Sequence, residues 1–513
     1  MIKTDWSSWD ELQWRRRLET FGDNDASILA SGPNGEIDTV CNLGELTDKG
    51  RETTLALGQR LRHLYVDQLK FMPKLIGDAD MIYLRASPLP RALDSVQESF
   101  WGMYPLPART ASFPPPTIIT RTTQDETIFP NESSCRRFSQ LSKAFARRTA
   151  DRWNESQEIE YLNRLIGKWM PNASRVKVDS HPRLSGIMDT INSTLGHGPA
   201  TRLPSPFYDP KGRDIIEKIG VEEWFSGFSE SNEYRQVGIG ALAGDIVARM
   251  VGNVERSGND GLLEIGGEDS SQGAGRGGEK DIKFGLSGCH DTSLGGLLAS
   301  LGCFEGEKWP PYTSHLAFEL FRESGADRES IDGEKLDNPA IADAPHNQKQ
   351  GALSTFFGSG GKTKIATEGI ARKTTDKLSA TEREKLRGHY VRIRYNDRPV
   401  VVPGCKLPGK HLDGDESFCT LEAFKAIVDR FTPKNWKQAC ISNIDNPAFP
   451  DEIEPGGENH IDSLTVNGDI QRGLSVAPLV KSDSLIDILN VAPLYVAINQ
   501  QRSRSTSSSL AMM

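Results

Sequence analysis

The stretch "IKFGLSGCHDTSLGGLLASLG", from Ile282 to Gly302, places a histidine and an aspartate side by side where two sequence patterns meet. Its first seven residues form a short apolar run that is typical of a buried strand. After the pair, leucine recurs at positions 294, 297, 298 and 301, which is a helical spacing. His290 and Asp291 are therefore predicted to lie on a strand-to-helix turn. In open α/β sheets such turns bind ligands, and the helix N-terminus attracts anions.

A second strand-to-helix turn is predicted around residue 87. "DADMIYLRAS", residues 78–87, is typical of a strand that ends near Arg85. "PLPRALDSVQESFWGMYP", residues 88–105, is typical of a helix that proline opens, with Arg91 in its first turn. Guanidinium groups suit phosphate because their donors match its oxygens two at a time. An imidazole beside a carboxyl group suits proton transfer to a leaving alkoxide. The two turns together predict phosphate ester chemistry.

The composition narrows the class of protein. The chain has 513 residues, is 37% hydrophobic and carries a net charge of −9 without a long basic run, which argues against a nucleic-acid partner. Its first residues lack the apolar core of a signal peptide, and polar residues and a proline interrupt the apolar segment at 485–498. We therefore predict neither a signal peptide nor a transmembrane segment, and the compartment stays open.

The seven cysteines contain no C-x-x-C pair, which argues against a zinc site. Three of them lie close enough in sequence to leave disulfides possible: Cys405, Cys419 and Cys440. A His-Asp pair also occurs in metal-dependent phosphohydrolases, but that site needs further histidine and aspartate ligands on helices, and none are suitably spaced here. The sequence thus predicts no metal.

Several segments in a fixed order resemble the histidine acid phosphatases, the second branch of the histidine phosphatase superfamily. They are "GELTDKG" at 44–50, "YLRASPLPRALDSVQESFWGMYP" at 83–105 and "GCHDTSLGGLLASLG" at 288–302. "FPNESSCRRF", "KWPPYTSHLAFELF" and "HYVRIRYNDRPVVVPGC" are most similar to the lysophosphatidic acid phosphatase type. The resemblance implies an α/β fold, a phosphoglycerate-mutase-like three-layer sandwich with an inserted helical subdomain.

Combined with composition and periodicity, the resemblance divides the chain into seven parts. Residues 1–121 are expected to start the α/β core without its first strand, and 122–254 to form the helical subdomain. The other expected parts are a glycine-rich disordered insertion at 255–281, core with the His-Asp motif at 282–323, a disordered insertion at 324–388, the end of the core at 389–500 and a flexible tail at 501–513.

The resemblance also implies roles for the site residues. Arg91 matches the arginine that clamps the phosphate, and Arg85 matches an earlier arginine of the same motif that we expect to support substrate binding. His290 matches the second histidine, which stabilises the transferring phosphoryl group, and Asp291 matches the acid that protonates the departing alcohol. The substrate would be a phosphate monoester such as lysophosphatidic acid, and neither a cofactor nor a metal is implied.

The nucleophile of the family is absent from its expected place. It is a histidine that forms a phosphohistidine and stands in an R-H-G-x-R motif on the first strand, before "GELTDKG". No such motif occurs in this chain, and residues 1–43 contain no histidine. If the first strand is absent, the two strands beside its place in the sheet keep unpaired backbone groups. Each such group costs about 1–3 kcal/mol of stability. The sequence therefore favours N-terminal truncation, with a poorly folded and inactive chain as the expectation.

Two alternatives remain open at the level of sequence. A catalytically dead relative would keep the arginines and bind phosphate as a scaffold, without turnover. A phytase-like inositol phosphate phosphatase would act on a highly charged substrate, but the chain lacks the basic clustering that such a polyanion would require.

Overall fold

The computed structural model describes residues 17–21, 27–31, 35, 37, 44–199, 201–255, 282–323, 369–458 and 489–500, the last range through its backbone. Within these ranges eleven strands are found: β1 Glu19–Phe21, β2 Ser27–Leu29, β3 Ile82–Ala86, β4 Ile118–Ile119, β5 Phe284–His290, β6 His315–Glu323, β7 His389–Tyr395, β8 Arg398–Val400, β9 His411–Leu412, β10 Asp415–Thr420 and β11 Leu489–Gln500.

Twelve α-helices accompany these strands in the same ranges. They are α1 Asp48–Arg62, α2 Pro90–Met103, α3 Arg136–Trp153, α4 Gln157–Ile166, α5 Leu184–His197, α6 Pro210–Glu230, α7 Asn232–Arg235, α8 Ala241–Glu255, α9 Asp291–Ser300, α10 Ala380–Leu386, α11 Leu421–Asp429 and α12 Trp436–Ile441. As the sequence predicted, strand-to-helix turns join β3 to α2 and β5 to α9.

One mixed sheet holds all the described strands except β1 and β2. Its order is β4-β3-β5-β11-β6-β7-β10-β9, with β8 paired to β7. The strands from β4 to β11 run parallel, and those from β11 to β9 run antiparallel. The carboxyl ends of β3 and β5 therefore meet at one edge of the sheet, and this is where the two predicted turns lie.

Strand β11 occupies the central position of the sheet, where the sequence analysis expected a strand to be missing. It pairs in parallel with β5, from Leu494 beside Phe284 to Gln500 beside His290. On its other side it pairs antiparallel with β6. Both neighbours thus find hydrogen-bonding partners, so the expectation that their backbone groups stay unpaired is wrong.

Helices α1 and α2 cover one side of the parallel half of the sheet. They cross where Gly58 of α1 meets the Ser99 carbonyl and Gly102 of α2 meets the Leu55 carbonyl, so close that a side chain on either glycine would clash with backbone. Thr47 caps α1, because its hydroxyl accepts a hydrogen bond from the Gly50 N–H at 3.2 Å. This packing fixes the position of α2, which carries Arg91.

The range 122–254, predicted as a helical subdomain, contains α3 to α7 and nearly all of α8. Its aromatic core joins the α/β core at α9, where Gly295 leaves room for the ring of Phe225 from α6. Phe225 in turn packs against Phe304 with 4.8 Å between ring centroids. In the described part of the chain, one helical stretch, Asn232–Glu255, is long and apolar enough to span a membrane, and 89% of its apolar window is buried within the protein.

The insertion predicted as disordered at 324–388 is ordered from residue 369 onward, which corrects that prediction. Short 3-10 turns at Ile370–Arg372 and Thr375–Lys377 lead into α10. The Thr375 N–H and hydroxyl both donate to Asp429 of α11, at 2.9 and 2.7 Å. These polar contacts fold a segment that has too few apolar residues to show a helical pattern. The predicted insertion at 255–281 lies outside the described residues after Glu255, and the tail at 501–513 lies outside them entirely.

Two disulfides resolve the cysteines left open by the sequence. Cys405 pairs with Cys419, across a separation of 14 residues. Cys440 pairs with Cys135, which is 305 residues away and opens α3. The second bond therefore ties the first long helix of the helical region to α12.

Candidate active site

The two strand-to-helix turns touch each other at the edge of the sheet. In the β3–β5 pairing, Arg85 lies beside Ser287 and Ala86 beside Gly288. The next residue, Ser87, donates its N–H to the Gly288 carbonyl at 3.0 Å. Ser87 and His290 are thereby brought to the same end of two neighbouring parallel strands.

His290 is held in place by contacts on several sides. Its Nε2 lies 2.8 Å from the Ser87 hydroxyl, within hydrogen-bonding distance. The Phe129 ring packs edge-on against the imidazole at 5.2 Å between centroids. The His290 N–H donates to the Ser293 hydroxyl at 3.2 Å and so ties the residue to the first turn of α9. The imidazole is 2% exposed, so its orientation is set by these neighbours.

Asp291 opens α9 and is equally enclosed. Its Oδ2 accepts a hydrogen bond from the Trp309 indole N–H at 2.9 Å, and its Oδ1 accepts one from the Thr292 N–H at 2.8 Å. Both carboxyl oxygens are thus engaged by donors. A carboxyl group in this position is favoured by the positive end of the helix dipole.

Arg91 enters the site from the first turn of α2 and is buried. Its Nη1 donates to the Gly44 carbonyl at 3.3 Å. Gly44 has a φ of +81°, a conformation that glycine adopts without strain, in the turn before α1. The three sequence motifs at 44–50, 83–105 and 288–302 are therefore contiguous in space.

Helix α2 lies directly on β5 at Gly288. A Cβ added to Gly288 would lie 2.5 Å from the Ala92 carbonyl and 2.7 Å from Val96. Only glycine permits this close approach of α2 to β5. The approach fixes the position of Arg91 on α2 relative to His290, which lies two residues after Gly288 on β5.

Arg85 lies deeper and is engaged by protein groups. Its Nη2 donates to Glu126 Oε1 at 2.6 Å, and both side chains are almost fully buried. The same oxygen accepts the N–H groups of Thr127 and Ile128 at 2.9 and 2.8 Å. The Arg85 guanidinium is thus anchored by a loop between β4 and α3, an arrangement that suits a supporting group.

Further charges surround this ion pair. Arg249 Nε donates to Asp245 at 3.0 Å, and the same carboxyl group lies 4.0 Å from Arg85 Nη1. Burial, and secondly the nearby positive charge of Arg85, lower the pKa of Arg121 to about 10. Arg121 therefore remains protonated at neutral pH. Three guanidinium groups face two carboxylates, Glu126 and Asp245, so this cluster carries a positive charge that suits an anionic ligand.

The contact residues that escaped the sequence analysis include Ser87, Glu126 and Trp309. Ser87 and Trp309 lie inside quoted motifs, but nothing in their spacing shows that they would contact His290 and Asp291. Glu126 follows β4 in a polar loop, 41 residues from its partner Arg85. Only the packing of this loop over the sheet edge brings the pair together.

Among the residues described, no group of three or more histidine, cysteine, aspartate or glutamate side chains gathers as a metal-binding cluster. The donors around the site are instead imidazole, guanidinium and hydroxyl groups. This set fits recognition of a phosphate group through hydrogen bonds and charge.

The α/β sheet carries guanidinium, imidazole and carboxyl groups on two adjoining strand-to-helix turns. The family model for the histidine phosphatase superfamily, branch 2, matches residues 8–334, and the chain belongs to this family. The resemblance and the α/β fold inferred from the sequence motifs are thereby confirmed.

This chain is also similar to individual proteins and to solved structures. A probable acid phosphatase of Schizosaccharomyces pombe is 32% identical over 84% of this chain and 83% of its own length. The human lysophosphatidic acid phosphatase type 6 is 22% identical over 54% of this chain and 57% of its own length. Among solved structures, a Hafnia alvei phytase is 14% identical with a TM-score of 0.45, covering 78% of this chain and 89% of the phytase.

Proposed function

We propose that this chain binds phosphate monoesters at the joined ends of β3 and β5 and directs them toward hydrolysis of the phosphate–alcohol bond. The supporting observation is the contact between Ser87 and His290, which unites the two turns in a chain of the histidine phosphatase superfamily. In this proposal Arg91 clamps the phosphate oxygens and Arg85 supports the clamp through its buried pairing with Glu126.

The proposed roles follow from the chemistry of the reaction. When the phosphorus–oxygen bond breaks, the bonding electrons leave with the alcohol oxygen, which takes a proton from Asp291. His290 donates a hydrogen bond to the phosphoryl oxygens, whose charge changes during transfer. Water then supplies the oxygen of the released phosphate and returns a proton to Asp291.

A covalent route through phosphohistidine needs a second imidazole as the nucleophile. Strand β11 occupies the place next to β5, and the sequence from Leu489 to Gln500 contains no histidine. The imidazoles of His315 and His411 lie against Asp397 and the Cys405 carbonyl. Strand β11 thus brings no imidazole to the place beside His290. This favours a second candidate function, in which the chain binds phosphate esters with little or no turnover.

The substrate is proposed at a finer level from the relatives. Several of them are lysophosphatidic acid phosphatases, so a monoester of this kind is the first substrate to test. Inositol hexakisphosphate is the alternative, and it would require a markedly basic surface beside the site.

Binding and phosphate release by the same protein separate the two functions. We expect Arg91→Ala to weaken binding of inorganic phosphate about 10- to 100-fold, since charge-assisted hydrogen bonds contribute about 1.5–3 kcal/mol. Arg152→Ala, which removes an exposed arginine of α3, is the control and should bind normally. Binding would be measured by calorimetry, and folding of each variant by circular dichroism.

Turnover is then measured as release of inorganic phosphate from lysophosphatidic acid and nitrophenyl phosphate. Release above the level of Arg91→Ala would support hydrolysis. Binding without release would support the second candidate. Unchanged phosphate binding in a folded Arg91→Ala protein would contradict the proposed site.

A further inference from the structure

A cavity of about 210 Å³ lies among the helices next to the proposed site. Its aromatic walls come from α3, α6 and α7: Phe138, Trp224, Phe228 and Tyr234. The rings of Phe138 and Phe228 pack against Tyr234 at centroid distances of 5.0 and 4.7 Å. These four rings give the cavity one aromatic wall.

Three links, two along the chain and one through side-chain contacts, place this cavity against the proposed catalytic pair. Thr292, which lines the cavity, directly follows Asp291. Pro130, also in the lining, directly follows Phe129, whose ring contacts His290.

The third link passes through two tryptophans. Trp224 of the cavity wall packs against Trp309 at 6.1 Å between centroids, and Trp309 donates its indole N–H to Asp291. Asp291 thus adjoins this cavity through Trp309 and Trp224.

The charges around the cavity are balanced. Its lining includes three cationic side chains, Lys143, Arg147 and Arg183, and three acidic ones, Glu132, Asp179 and Glu223. Arg183 and Glu223 form an ion pair with each other. A ligand with many phosphates would meet as many carboxylates as cations here, so the surroundings do not favour a polyanion.

The volume sets the size of ligand that the cavity can hold. An apolar cavity of about 150 Å³ binds benzene in an engineered protein. The cavity here is somewhat larger, so one aromatic ring or a short alkyl chain would fill it. The aromatic walls would remove such a group from water, which is the main source of affinity for an apolar ligand.

We infer that this cavity receives the leaving alcohol and selects phosphate monoesters with a compact apolar body over polyphosphorylated alcohols. The inference rests on the proposed function, because the phosphate itself must sit beside Arg91 and His290. The cavity adds the selection among esters.

Phosphonates test the inference without requiring turnover, since their phosphorus–carbon bond is not hydrolysed. Methylphosphonate reports on the phosphate clamp alone, and phenylphosphonate reports on the clamp and the cavity together. We expect phenylphosphonate to bind about 10-fold or more tightly than methylphosphonate, because burial of an aromatic ring is favourable. Inositol hexakisphosphate should bind more weakly than phenylphosphonate. Affinities would be measured by calorimetry on the full chain.

A matched pair of substitutions on α3 locates the effect. Ala146 lines the cavity, whereas Ala144, also half-buried on the same helix, does not belong to the lining. Ala146→Leu should fill the cavity and remove most of the preference for phenylphosphonate, while methylphosphonate binding stays unchanged. Ala144→Leu should keep the preference.

The outcomes separate this inference from the function on which it rests. If the wild-type chain binds neither phosphonate, both are overturned. If it binds both equally, or if Ala146→Leu keeps the full preference, the cavity assignment is overturned and the phosphate site stands. Tighter binding of inositol hexakisphosphate than of phenylphosphonate would also overturn the selection that we infer.

Discussion

At the scale of single residues, the Ser87 hydroxyl is the contact that joins the two halves of the proposed site. Ser87 is fully buried, and its oxygen lies 2.8 Å from His290 Nε2. Its backbone N–H donates to the Gly288 carbonyl, so Ser87 links the ends of β3 and β5 through both its backbone and its side chain. The sequence motif contains this serine, but its role depends on the register between β3 and β5.

Replacing Ser87 by alanine should therefore loosen His290 while leaving the strands paired. We expect Ser87→Ala to lower the free energy of unfolding by about 1–3 kcal/mol, since a buried imidazole nitrogen loses its partner. Phosphate binding should weaken severalfold, and its pH dependence should shift as the histidine changes its hydrogen bonding. Urea unfolding and calorimetry at several pH values would measure these effects.

Ser95→Ala is the control for this substitution, because Ser95 is an equally buried serine on α2. It should leave phosphate binding and its pH dependence unchanged. A Ser87→Ala protein with the pH profile of the wild type would show that this hydroxyl does not position His290.

At the scale of secondary-structure elements, the close approach of α2 to β5 decides where Arg91 lies. We expect Gly288→Ala to destabilise the protein by about 1–3 kcal/mol, because the added methyl group would overlap backbone of α2. It should also weaken phosphate binding by displacing Arg91 from His290. Urea unfolding and phosphate calorimetry would record the two losses together.

Gly186→Ala on α5 is the matched control, since nothing lies within 4 Å of the position of its added Cβ. There the change should be neutral or slightly stabilising, because alanine is the better helix former. If Gly288→Ala and Gly186→Ala had equal effects, the packing of α2 would not constrain the site.

Helix α10 supplies a prediction about pH. The Glu382 carboxylate accepts from Lys373 at 2.6 Å and from the Ser379 N–H and hydroxyl at 2.8 Å. The bond from Lys373, followed by those from Ser379, lowers the pKa of Glu382 to about 2. Because the pKa is lowered in the folded state, this stabilisation is complete above the ordinary value of about 4.3 and is lost as the pH falls toward 2.

Hydrogen exchange of the α10 amides, measured between pH 5 and pH 2.5, would follow this loss. Opening of the helix should become easier over that interval in the wild type. In Glu382→Gln the contribution of this carboxylate to the pH dependence should disappear. An identical pH dependence in both proteins would show that the capping carboxylate does not stabilise the helix.

The sequence predicted those elements whose signals are local. The proline at the start of α2 and the leucine spacing after Asp291 both predicted helices that the structure contains. Strand β11 was missed because Pro493 lacks an N–H and argues against a central strand. A shift in register between Ala492 and Leu494 absorbs this proline in the pairing with β6. The partnership of Arg85 with Glu126 likewise depends on long-range packing that no local pattern encodes.

At the scale of the whole molecule, strands that are far apart in sequence, from β3 to β11, meet in one sheet. Strand β11 is the last of the described strands, yet it separates the parallel half, which carries the proposed site, from the antiparallel half. The disulfide between Cys135 and Cys440 adds a second long-range link, across 305 residues. In the chain-entropy model, bonds that close long loops restrict the unfolded state most strongly.

A chain ending at residue 488 should therefore lose the fold, whereas a chain ending at residue 500 should keep it. Removal of β11 would leave backbone groups of β5 and β6 unpaired, at a cost of about 1–3 kcal/mol each. The summed cost of several such groups would exceed a typical free energy of unfolding of about 5–15 kcal/mol. The exposed strand edges would also favour aggregation. Urea unfolding and light scattering of the two truncated chains would measure both effects. A chain ending at residue 488 that unfolded at the urea concentration of the full protein would contradict a central role for β11.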